Sequence, residues 1–432
     1  MADYVKQSPL PSSVASEEVR RTVSEMLLEI ERRGTAAIRD YSRRLDNWDP
    51  PSFRVAAADI AAAADSLDAA LKGHIAFAQA QVRGFAERQR ATLADLEAET
   101  LPGVVLGHRH IPVNVVGSYV PGGRYPMLAS AFMTVLVPKV AGVRRVVAVA
   151  PPREGRGIHP AMLHAMATSG ADEIVCLGGV QALAALAFGL DDDLAGVDMV
   201  CGAGNAYVAE AKRQLYGRVG IDLLAGPTEI LVLADGSADP VLVAADLLGQ
   251  AEHGPTSAAI LVTTSRALGE AVLAAVAELL KTWPTAAVAG EAWANHGSII
   301  VAADDAELLA VANELASEHV EVQAEDATLE RWFAGLTNYG SLFLGENATV
   351  AYGDKGIGTN HVLPTGRSAR YTGGLWVGKF LRTVTYQRVT DEGTRQIAPT
   401  VAAICEAELF GGHGLTATMR LERLAGRQRS LR

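Results

Sequence analysis

The spacing of hydrophobic positions along the chain changes near residue 104. Before that point, apolar side chains recur every three or four residues, which predicts amphipathic helices. The first apolar face is formed by Val19, Val23, Met26, Leu27 and Ile30. Residues 56–91 are rich in Ala and continue as helix-forming sequence. The N-terminal part of the chain is therefore predicted to be helical.

After residue 104, short β-branched runs alternate with Ala-rich helical segments. One series contains "RRVVAVAPP", "DEIVCLGG" and "VDMVCGAG", and a second contains "EILVLAD", "SAAILVTTS" and "GSIIVAA". This alternation is typical of βαβ units on a parallel sheet. The sequence predicts an α/β fold with two Rossmann-like parallel-sheet domains, a small N-terminal helical piece and a C-terminal extension.

The change in pattern also suggests domain boundaries. We expect an N-terminal helical arm at residues 1–25 and a first Rossmann-like domain built from residues 26–118 and 230–375. A second Rossmann-like domain is expected at residues 119–229, and a C-terminal domain at residues 376–432. The C-terminal segment "TRQIAPTVAAICEAELFGGHGLTATMRLERL" is predicted to be helical.

Composition narrows the class of protein. The chain has 432 residues, of which 49% are hydrophobic and 20% charged, as in a folded protein. Its net charge of −11 argues against binding to a nucleic-acid backbone. The three cysteines form no C-x-x-C pair, the start lacks the apolar core of a signal peptide, and apolar runs are interrupted before they reach membrane-spanning length. We expect a cytoplasmic protein with no nucleic-acid partner and no membrane segment.

Three Gly-rich turns follow predicted strands, at residues 117–123, 176–182 and 201–207. Ligands of open α/β sheets bind outside the carboxyl ends of strands, which is where these turns fall. Each turn carries a larger polar or aromatic side chain; these are Tyr119, Gln181 and Asn205. The standard G-x-G-x-x-G motif is missing because "GAGNAY" ends in Tyr. Nucleotide binding and ordinary βα turns both remain open on this pattern.

Several imidazole, carboxyl and amide side chains are candidates for a metal site. They are Gln250, His253, Asp354, His361, Glu408 and His413. Gln250 and His253 are three residues apart at a predicted helix end, so both can point to one side. The residues from Asp354 to His361 are expected to form a Gly-rich loop. Nitrogen and oxygen donors without thiolates suit a catalytic zinc site, although these spacings alone favour it only weakly.

The segment "ELASEHVEVQ" places Glu318 next to His319. Neighbouring residues in a strand point to opposite faces, whereas at a bend both can line one cleft. Imidazole titrates near neutral pH, and a carboxylate can activate water or orient the ring. The pair is therefore either a proton-transfer pair or a solvated Glu beside a hydrogen-bonded His.

Taken together, eight segments resemble the histidinol dehydrogenase family. They are "GSYVPGG", "GGVQALAALAFG", "GNAYVAEAKRQL", "IDLLAGPTEILVLAD", "DLLGQAEHGP", "ASEHVEV", "GTNHVLPT" and "ELFGGHG", in family order over nearly the whole chain. The resemblance implies a zinc- and NAD-dependent oxidoreductase that acts on a small-molecule alcohol. It also implies an intertwined homodimer in which the C-terminal domain contributes to the partner subunit's site.

The resemblance implies roles for individual positions. The implied zinc ligands are Gln250, His253, Asp354 and His413. The implied acid–base pair is Glu318 and His319, and the implied cofactor contacts are Tyr119, Gln181 and Asn205. The implied substrate-binding positions are Thr228, Gln250, His253, Glu318, His319, Asp354, His361, Glu408 and His413.

One segment departs from the usual histidinol dehydrogenase pattern. "TGRSARYTGGLWVGKF" adds Arg367, Tyr371, Trp376 and Lys379, and Thr228 stands where Ser is usual. Basic side chains favour an anionic substrate over the cationic histidinol. This segment resembles the sulfopropanediol 3-dehydrogenase branch, with Arg367 as a candidate substrate contact.

The branch resemblance implies oxidation of 2,3-dihydroxypropane-1-sulfonate to 3-sulfolactate in organosulfonate catabolism. The alternative is oxidation of L-histidinol to L-histidine in histidine biosynthesis. A non-catalytic member that only binds a metal or nucleotide would be expected to lack a zinc or acid–base residue. None of those residues is missing here.

Overall fold

The computed structural model describes residues 3–9, 16–123, 125–190 and 194–430. The strands are β1 (Asp3–Lys6), β2 (Leu96–Leu101), β3 (Val104–Pro112), β4 (Val115–Tyr119), β5 (Arg145–Ala150), β6 (Glu173–Cys176), β7 (Met199–Cys201), β8 (Gly220–Ile221), β9 (Glu229–Ala234), β10 (Ala258–Thr263), β11 (Gly297–Val301), β12 (His319–Gln323), β13 (Ser341–Leu344) and β14 (Leu381–Val389).

The helices are α1 (Glu17–Arg33), α2 (Thr35–Asp46), α3 (Ala57–Asp65), α4 (Ala69–Ala91), α5 (Leu128–Ala131), α6 (Val137–Ala141), α7 (Pro160–Thr168), α8 (Gly179–Phe188), α9 (Ala206–Leu215), α10 (Pro240–Ala251), α11 (Arg266–Leu279), α12 (Ala286–His296), α13 (Asp305–Leu315), α14 (Asp326–Gly335), α15 (Val350–Lys355), α16 (Asp391–Ala407) and α17 (Gly411–Ser430). A π-helical turn, Phe132–Leu136, joins α5 to α6. Helix α1 buries Val23, Met26, Leu27 and Ile30, as its spacing predicts.

The chain divides into two compact units. The first is Met1–Arg90 with Val113–Phe380, and the second is Ala91–Pro112 with Leu381–Arg432. Helix α1 runs through the expected boundary at residue 25, and strands β2 and β3 belong to the second unit. The four sequence-based boundaries remain predictions. The sequence pattern alone does not reveal that β3 pairs with β14, a strand nearly 270 residues later.

The first unit contains two parallel sheets with the same topology. Their strand orders are β6-β5-β4-β7-β8 and β11-β10-β9-β12-β13, and β1 adds an antiparallel edge to the second of these. In chain order, each parallel set reads third, second, first, fourth and fifth, which is the doubly wound arrangement of Rossmann folds. The expected α/β class with two Rossmann-like sheets is confirmed. We call the sheet that contains β4 the N-terminal sheet and the sheet that contains β9 the C-terminal sheet.

Strand composition explains why both sheets are covered on both faces. Central strands such as β5 and β10 are continuous runs of Val, Ile, Leu and Ala, and nearly every residue in them is buried. One face of the C-terminal sheet packs against α10, α11 and α12, and the other packs against α13 and α14. Asp239 caps the start of α10 by accepting from the backbone N–H of Val241, with Pro240 at the first helical position.

The second unit combines an antiparallel sheet with two helices. Its strand order is β14-β3-β2, and α16 packs against α17. These two helices confirm the helical prediction for the C-terminal segment. Within the residues that the structure describes, no helix is long and apolar enough to cross a membrane.

Candidate active site

Glu318 and His319 lie where a helix end turns into a strand. Helix α13 ends at Ala316, whose φ of 47° is left-handed, and β12 begins at His319. Because Glu318 precedes the strand, its side chain is not forced to the opposite face. Its Oε2 lies 3.4 Å from Nδ1 of His319. The two side chains therefore share one cleft, which is the arrangement that a bend allows.

The Glu318 carboxylate is held through one of its two oxygens. Oε2 accepts a 2.5 Å hydrogen bond from Oγ1 of Thr228 and a 3.0 Å hydrogen bond from the backbone N–H of Glu229. Thr228 also accepts from the side-chain amide of Gln250. Oε1 accepts no hydrogen bond from a described residue, so it remains available to water or substrate.

The two ring nitrogens of His319 face different groups. Nδ1 lies 3.2 Å from the carbonyl oxygen of Glu229, which can only accept, so the hydrogen is assigned to Nδ1. Nε2 is buried without a hydrogen-bond partner among the described residues, and it lies 3.7 Å from Oδ1 of Asp354. In the neutral ring, Nε2 therefore carries a lone pair that can accept a proton.

Nearby charges shift the pKa values of His319 and Asp354 in opposite directions, and each shift favours the charged form. Burial lowers the pKa of His319, but the charges of Glu318 and Asp354 outweigh it and raise that pKa to about 10. Burial raises the pKa of Asp354, but His319, His361 and Lys355 together hold it well below its usual range. In the metal-free protein these charges hold His319 as an imidazolium. A zinc ion bound by Asp354 would offset one of the negative charges and lower that pKa, which favours the neutral ring that can accept a proton.

Three of the predicted zinc ligands border one cavity of about 500 Å³. Gln250, His253 and Asp354 line it, together with Asp246, Thr349 and Lys355. Gln250 is in the last turn of α10, and His253 lies just beyond its end, as the spacing predicts. Asp354 is buried on α15. The sequence therefore brings together side chains that are 104 residues apart.

The donors at this cavity fit a zinc ion. Amide oxygen, imidazole nitrogen and carboxylate oxygen are zinc ligands, and no thiolate takes part. The His253 ring makes no hydrogen bond to a described residue, and burial lowers its pKa, which favours the neutral form that coordinates metals. No cluster of three His, Cys, Asp or Glu side chains is found within the described ranges; Gln250 is the third donor here.

The segment around His361 departs from the sequence expectation. Asp354 lies in the short helix α15, rather than in a continuous Gly-rich loop. Nδ1 of His361 lies 3.1 Å from the carbonyl oxygen of Asp354, and Nε2 lies 2.8 Å from Oγ of Ser130. His361 therefore holds the backbone of a predicted zinc ligand, and its contact with substrate remains a prediction.

The basic residues of the departing segment do not line this cavity in the described structure. Arg367 is half-exposed, has a left-handed φ of 64°, and lies 3.8 Å from Glu314. Lys379 donates a 2.6 Å hydrogen bond to Oγ1 of Thr372. The expected contact between Arg367 and substrate stays a prediction.

The predicted cofactor residues follow the carboxyl ends of strands in the N-terminal sheet. Tyr119 ends β4, and its hydroxyl accepts a 3.2 Å hydrogen bond from the backbone N–H of Gly179. Gln181 is buried on α8, and its amide donates to Asp46 at 2.8 Å, while its Oε1 has no partner among the described residues. Asn205 caps α9.

Close approach of two strand ends explains one glycine at this edge. Gly202 follows β7 with a φ of 113°, and a Cβ there would collide with the carbonyl oxygen of Tyr119. The turn "GAGN" therefore needs glycine at this position even though the standard fingerprint is absent.

Glu408 and His413 lie in the second unit. Glu408 follows the last residue of α16, and His413 lies in the first turn of α17, where its ring stacks on Phe410. Both side chains are exposed. Their expected contributions to a partner's zinc and substrate sites remain predictions.

Sequence reasoning missed several residues that support this site. Glu229 is mostly buried, and burial raises its pKa to about 7, with the nearby charge of Glu318 adding to the effect. Its Oε1 accepts from the backbone N–H of Gly366 at 3.0 Å. Glu321, which is fully buried, and Asp246, which is half-buried at the cavity, form a second carboxyl pair. A Glu between two valines in "HVEVQ" was the available signal, because strand interiors rarely hold carboxylates.

Comparisons with known proteins show which family this chain is similar to. Residues 11–421 match the family described as histidinol dehydrogenase. A histidinol dehydrogenase homolog of Shouchella clausii is 52% identical, covering 98% of this chain and 99% of the relative. The sulfopropanediol 3-dehydrogenase of Ruegeria pomeroyi is 46% identical, with 97% and 96% covered.

A solved structure matches the fold of the whole chain. The crystal structure of histidinol dehydrogenase from Elizabethkingia anophelis superposes with a TM-score of 0.90 at 32% identity, covering 97% of this chain and 95% of that one. Each match spans both parallel sheets and the C-terminal helices. The protein is therefore an oxidoreductase that belongs to the histidinol dehydrogenase family.

Proposed function

We propose that this protein is a zinc-dependent NAD⁺ dehydrogenase that oxidises a primary alcohol through the aldehyde to the carboxylate. The observation that carries the proposal is that His319, beside Glu318, lies 3.4 Å from Gln250 and 3.7 Å from Asp354, two side chains that suit zinc. Substrate bound at the cavity would meet both a proton acceptor and a carboxylate that can activate water. Family membership supports the NAD and zinc requirement.

The chemistry divides between the bound groups and the side chains. When bound, zinc orients the substrate and NAD⁺ accepts hydride. Gln250, His253 and Asp354 would hold the zinc, and His413 of the partner subunit would complete its ligands. Tyr119, Gln181 and Asn205 would contact the cofactor.

His319 is proposed to accept the hydroxyl proton during the first oxidation. Its Nδ1–H donates to the carbonyl of Glu229, which orients the ring and leaves Nε2 as the acceptor. The product proton would be stabilised by Glu318 and Asp354. A positioned base of this kind typically contributes a factor of about 10² to 10⁴ to the rate.

Glu318 is proposed to activate water for the second oxidation. Thr228 and the Glu229 backbone fix Oε2, so Oε1 can accept a proton from water as its oxygen attacks the aldehyde. The resulting hydrate loses the second hydride and becomes the carboxylate. Over both steps, one alcohol, one water and two NAD⁺ yield one carboxylate, two NADH and three protons.

The proposed substrate is 2,3-dihydroxypropane-1-sulfonate, with 3-sulfolactate as product in organosulfonate catabolism. Lys355 lines the cavity next to Asp354 and can form a charge-assisted hydrogen bond to a sulfonate. The 46% identity to a sulfopropanediol 3-dehydrogenase supports the same substrate. L-histidinol is the alternative, and its cationic amine would gain nothing from Lys355.

Turnover by the purified protein separates these substrates. The protein is loaded with zinc and NAD⁺ and offered dihydroxypropanesulfonate or L-histidinol separately, and NADH and products are measured. We expect two NADH per sulfonate consumed. Turnover of histidinol with none of the sulfonate would overturn the proposed substrate, and turnover of neither would count against this alcohol class.

The division of roles has its own test. Glu318→Gln should impair oxidation of the supplied aldehyde more than oxidation of the alcohol, because only the second step needs activated water. Glu330→Gln, at an exposed position on α14, is the matched control and should leave both steps unchanged. Equal losses in the two steps would contradict the separate role of Glu318.

We also propose that the active form is a homodimer that exchanges its C-terminal region. Co-expression of His319→Asn and His413→Asn chains tests it. If each site combines two chains, mixed dimers regain one intact site, and activity recovers to roughly a quarter of the wild-type value. Recovery no higher than that of either variant alone would contradict shared sites.

A further inference from the structure

Strand β12 carries polar and apolar residues in alternation, yet all five are buried. His319, Glu321 and Gln323 occupy one face, and Val320 and Val322 occupy the other. Such alternation usually leaves the polar face in water, whereas here the polar face lies against other elements of the same unit. Buried polar groups require partners, so the contacts of this face identify what it does.

Glu321 connects the strand to the helix that carries a predicted zinc ligand. Its side chain is fully buried, and Oε1 accepts a 2.9 Å hydrogen bond from the backbone N–H of Val350. Val350 is the first residue of α15, and Asp354 lies four residues later on the same short helix. A change at Glu321 would therefore reach Asp354 through one helical turn.

Asp246 connects the same network to α10, which carries the predicted ligand Gln250 and is followed by the predicted ligand His253. It lies on α10, one turn before Gln250. Its Oδ1 accepts from Oγ1 of Thr349 at 2.9 Å, and its Oδ2 accepts from the side-chain amide of Gln323 at 2.8 Å. The same amide reaches Oε2 of Glu321 at 3.3 Å.

Asp246 and Glu321 both accept from the side-chain amide of Gln323, so the two carboxyl groups lie on either side of one donor. Burial, with the negative charge of Asp246 adding to its effect, raises the pKa of Glu321 to about 9. Two unprotonated carboxylates here would repel each other in a site of low polarity. Through Thr349, Val350 and Gln323, the two carboxyl groups join α10, β12 and the start of α15.

We propose that Asp246 and Glu321 are positioning residues whose hydrogen bonds to Thr349, Val350 and Gln323 fix α10, β12 and α15 relative to one another and so set the geometry of the metal site. The inference rests on the proposed function, because it assigns zinc to Gln250, His253 and Asp354. Neither carboxyl group of the pair needs to touch zinc or substrate. Partners that support metal ligands in this way typically change metal affinity by about 10- to 100-fold.

Two substitutions at Glu321 separate hydrogen bonding from charge. Glu321→Gln keeps an oxygen for the Val350 N–H and places an amide donor next to Asp246, so zinc affinity should stay within about threefold of wild type. Glu321→Ala removes both bonds and should weaken zinc binding by about 10- to 100-fold. Zinc affinity is measured by competition with a chelator of known affinity, without substrate or NAD⁺.

Amide hydrogen exchange gives a readout that does not depend on metal or turnover. In zinc-free Glu321→Ala, the N–H groups at the start of α15 should exchange at least about tenfold faster, while those of α7 keep their wild-type rates. Glu321→Gln should retain protection in α15. Asp246→Ala provides a second variant from the α10 side, and it should lose both protection in α15 and zinc affinity, because it removes the bonds to Thr349 and Gln323.

Val322→Ala is the control for general loss of packing. Val322 is buried on the opposite face of β12, against α13 and α14. Val322→Ala should lower the free energy of unfolding while leaving zinc affinity within about twofold of wild type. If Glu321 had only a general structural role, Glu321→Ala and Val322→Ala would have the same zinc affinity. That result would overturn the proposal.

Asp354→Asn distinguishes failure of this inference from failure of the proposed function. If Asp354→Asn weakens zinc binding and Glu321→Ala does not, the positioning role is wrong and the metal site stands. If Asp354→Asn leaves zinc affinity unchanged, the assignment of the metal site is wrong, and the positioning role falls with it.

Discussion

The two parallel sheets of the first unit share one strand order but place their chemical groups at opposite edges. In the N-terminal sheet, Tyr119 and the turns that lead to Gln181 and Asn205 follow the carboxyl ends of β4, β6 and β7. In the C-terminal sheet, Thr228 precedes β9, and His319 begins β12. With the same topology, one sheet has glycine-rich turns at the carboxyl ends of its strands, and the other has the acid–base pair at the amino ends of its strands.

This difference limits a common rule for locating ligands. Ligands of open α/β sheets bind at the carboxyl ends of strands, near the point where strand order reverses. The N-terminal sheet follows that rule. In the C-terminal sheet the acid–base pair lies at the reversal between β9 and β12, but at the amino ends. Strand order therefore predicts which strands border the site more reliably than it predicts whether the site lies at their amino or carboxyl ends.

The largest expected effect comes from the amino edge of the C-terminal sheet. His319→Asn removes the proposed proton acceptor, and kcat/KM for the alcohol should fall by about 10² to 10⁴-fold. The dissociation constant of NAD⁺, measured by calorimetry, should change little because the proposed cofactor edge is in the other sheet. A large loss of NAD⁺ binding would contradict the assignment of the proton acceptor and the cofactor to different sheets.

A pH-dependent difference should also arise at this amino edge. The pKa of Glu229 is about 7 in the folded protein and 4.5 in its ordinary environment. The folded state therefore retains a proton that the unfolded state releases, and this stabilisation is full below about pH 4.5 and lost as pH rises through 7.

Glu229→Gln removes that titration. Relative to the variant, the zinc-free wild-type protein should lose at most about 3 kcal/mol in free energy of unfolding between pH 4.5 and 8. Urea unfolding at several pH values measures it. Parallel curves for the two proteins would show that Glu229 does not titrate in this range.

Charge at the cavity should affect substrate choice more modestly. Lys355→Met removes the proposed sulfonate contact, so KM for dihydroxypropanesulfonate should rise by about tenfold. Lys72→Met, at a lysine on α4, is the control and should leave KM unchanged. An unchanged KM in Lys355→Met would move the anion contact elsewhere, with Arg367 as the next residue to test.

The smallest expected effect comes from the N-terminal sheet. Tyr119→Phe removes the acceptor for the Gly179 N–H, and KM for NAD⁺ should rise by about five- to tenfold while zinc affinity is unchanged. Tyr41→Phe is the matched control, because its hydroxyl bonds to Glu29 on a neighbouring helix. Similar KM values in both variants would argue against a cofactor role for this edge.

Much of the fold was predictable because its signals are local. The βαβ alternation identified both sheets, and helical spacing placed Gln250 and His253 at the end of α10. The zinc and acid–base assignments came from the family resemblance, since spacing alone favoured a metal site only weakly. What the structure added is the convergence of Asp354 with His319 across separate elements.

The features that escaped prediction depend on long-range pairing. Strand β3 lies next to β14, so residues 104–112 belong to the second unit rather than the first. Glu321 resembles an exposed strand residue by its alternation, and only the packing of α10 and α15 shows that it is buried. Helix α15 is only six residues long, contains Gly353 and is followed by Gly356, so its sequence resembles a loop.

A crystal structure of the protein with zinc and NAD⁺ tests the central claim most directly. We expect zinc within bonding distance of Gln250, His253 and Asp354, beside the amino ends of β9 and β12, and the dinucleotide along the carboxyl ends of β4 and β7. NAD⁺ along the carboxyl ends of β9 and β12, or zinc bound away from Asp354, would contradict the assignment of separate edges to separate roles.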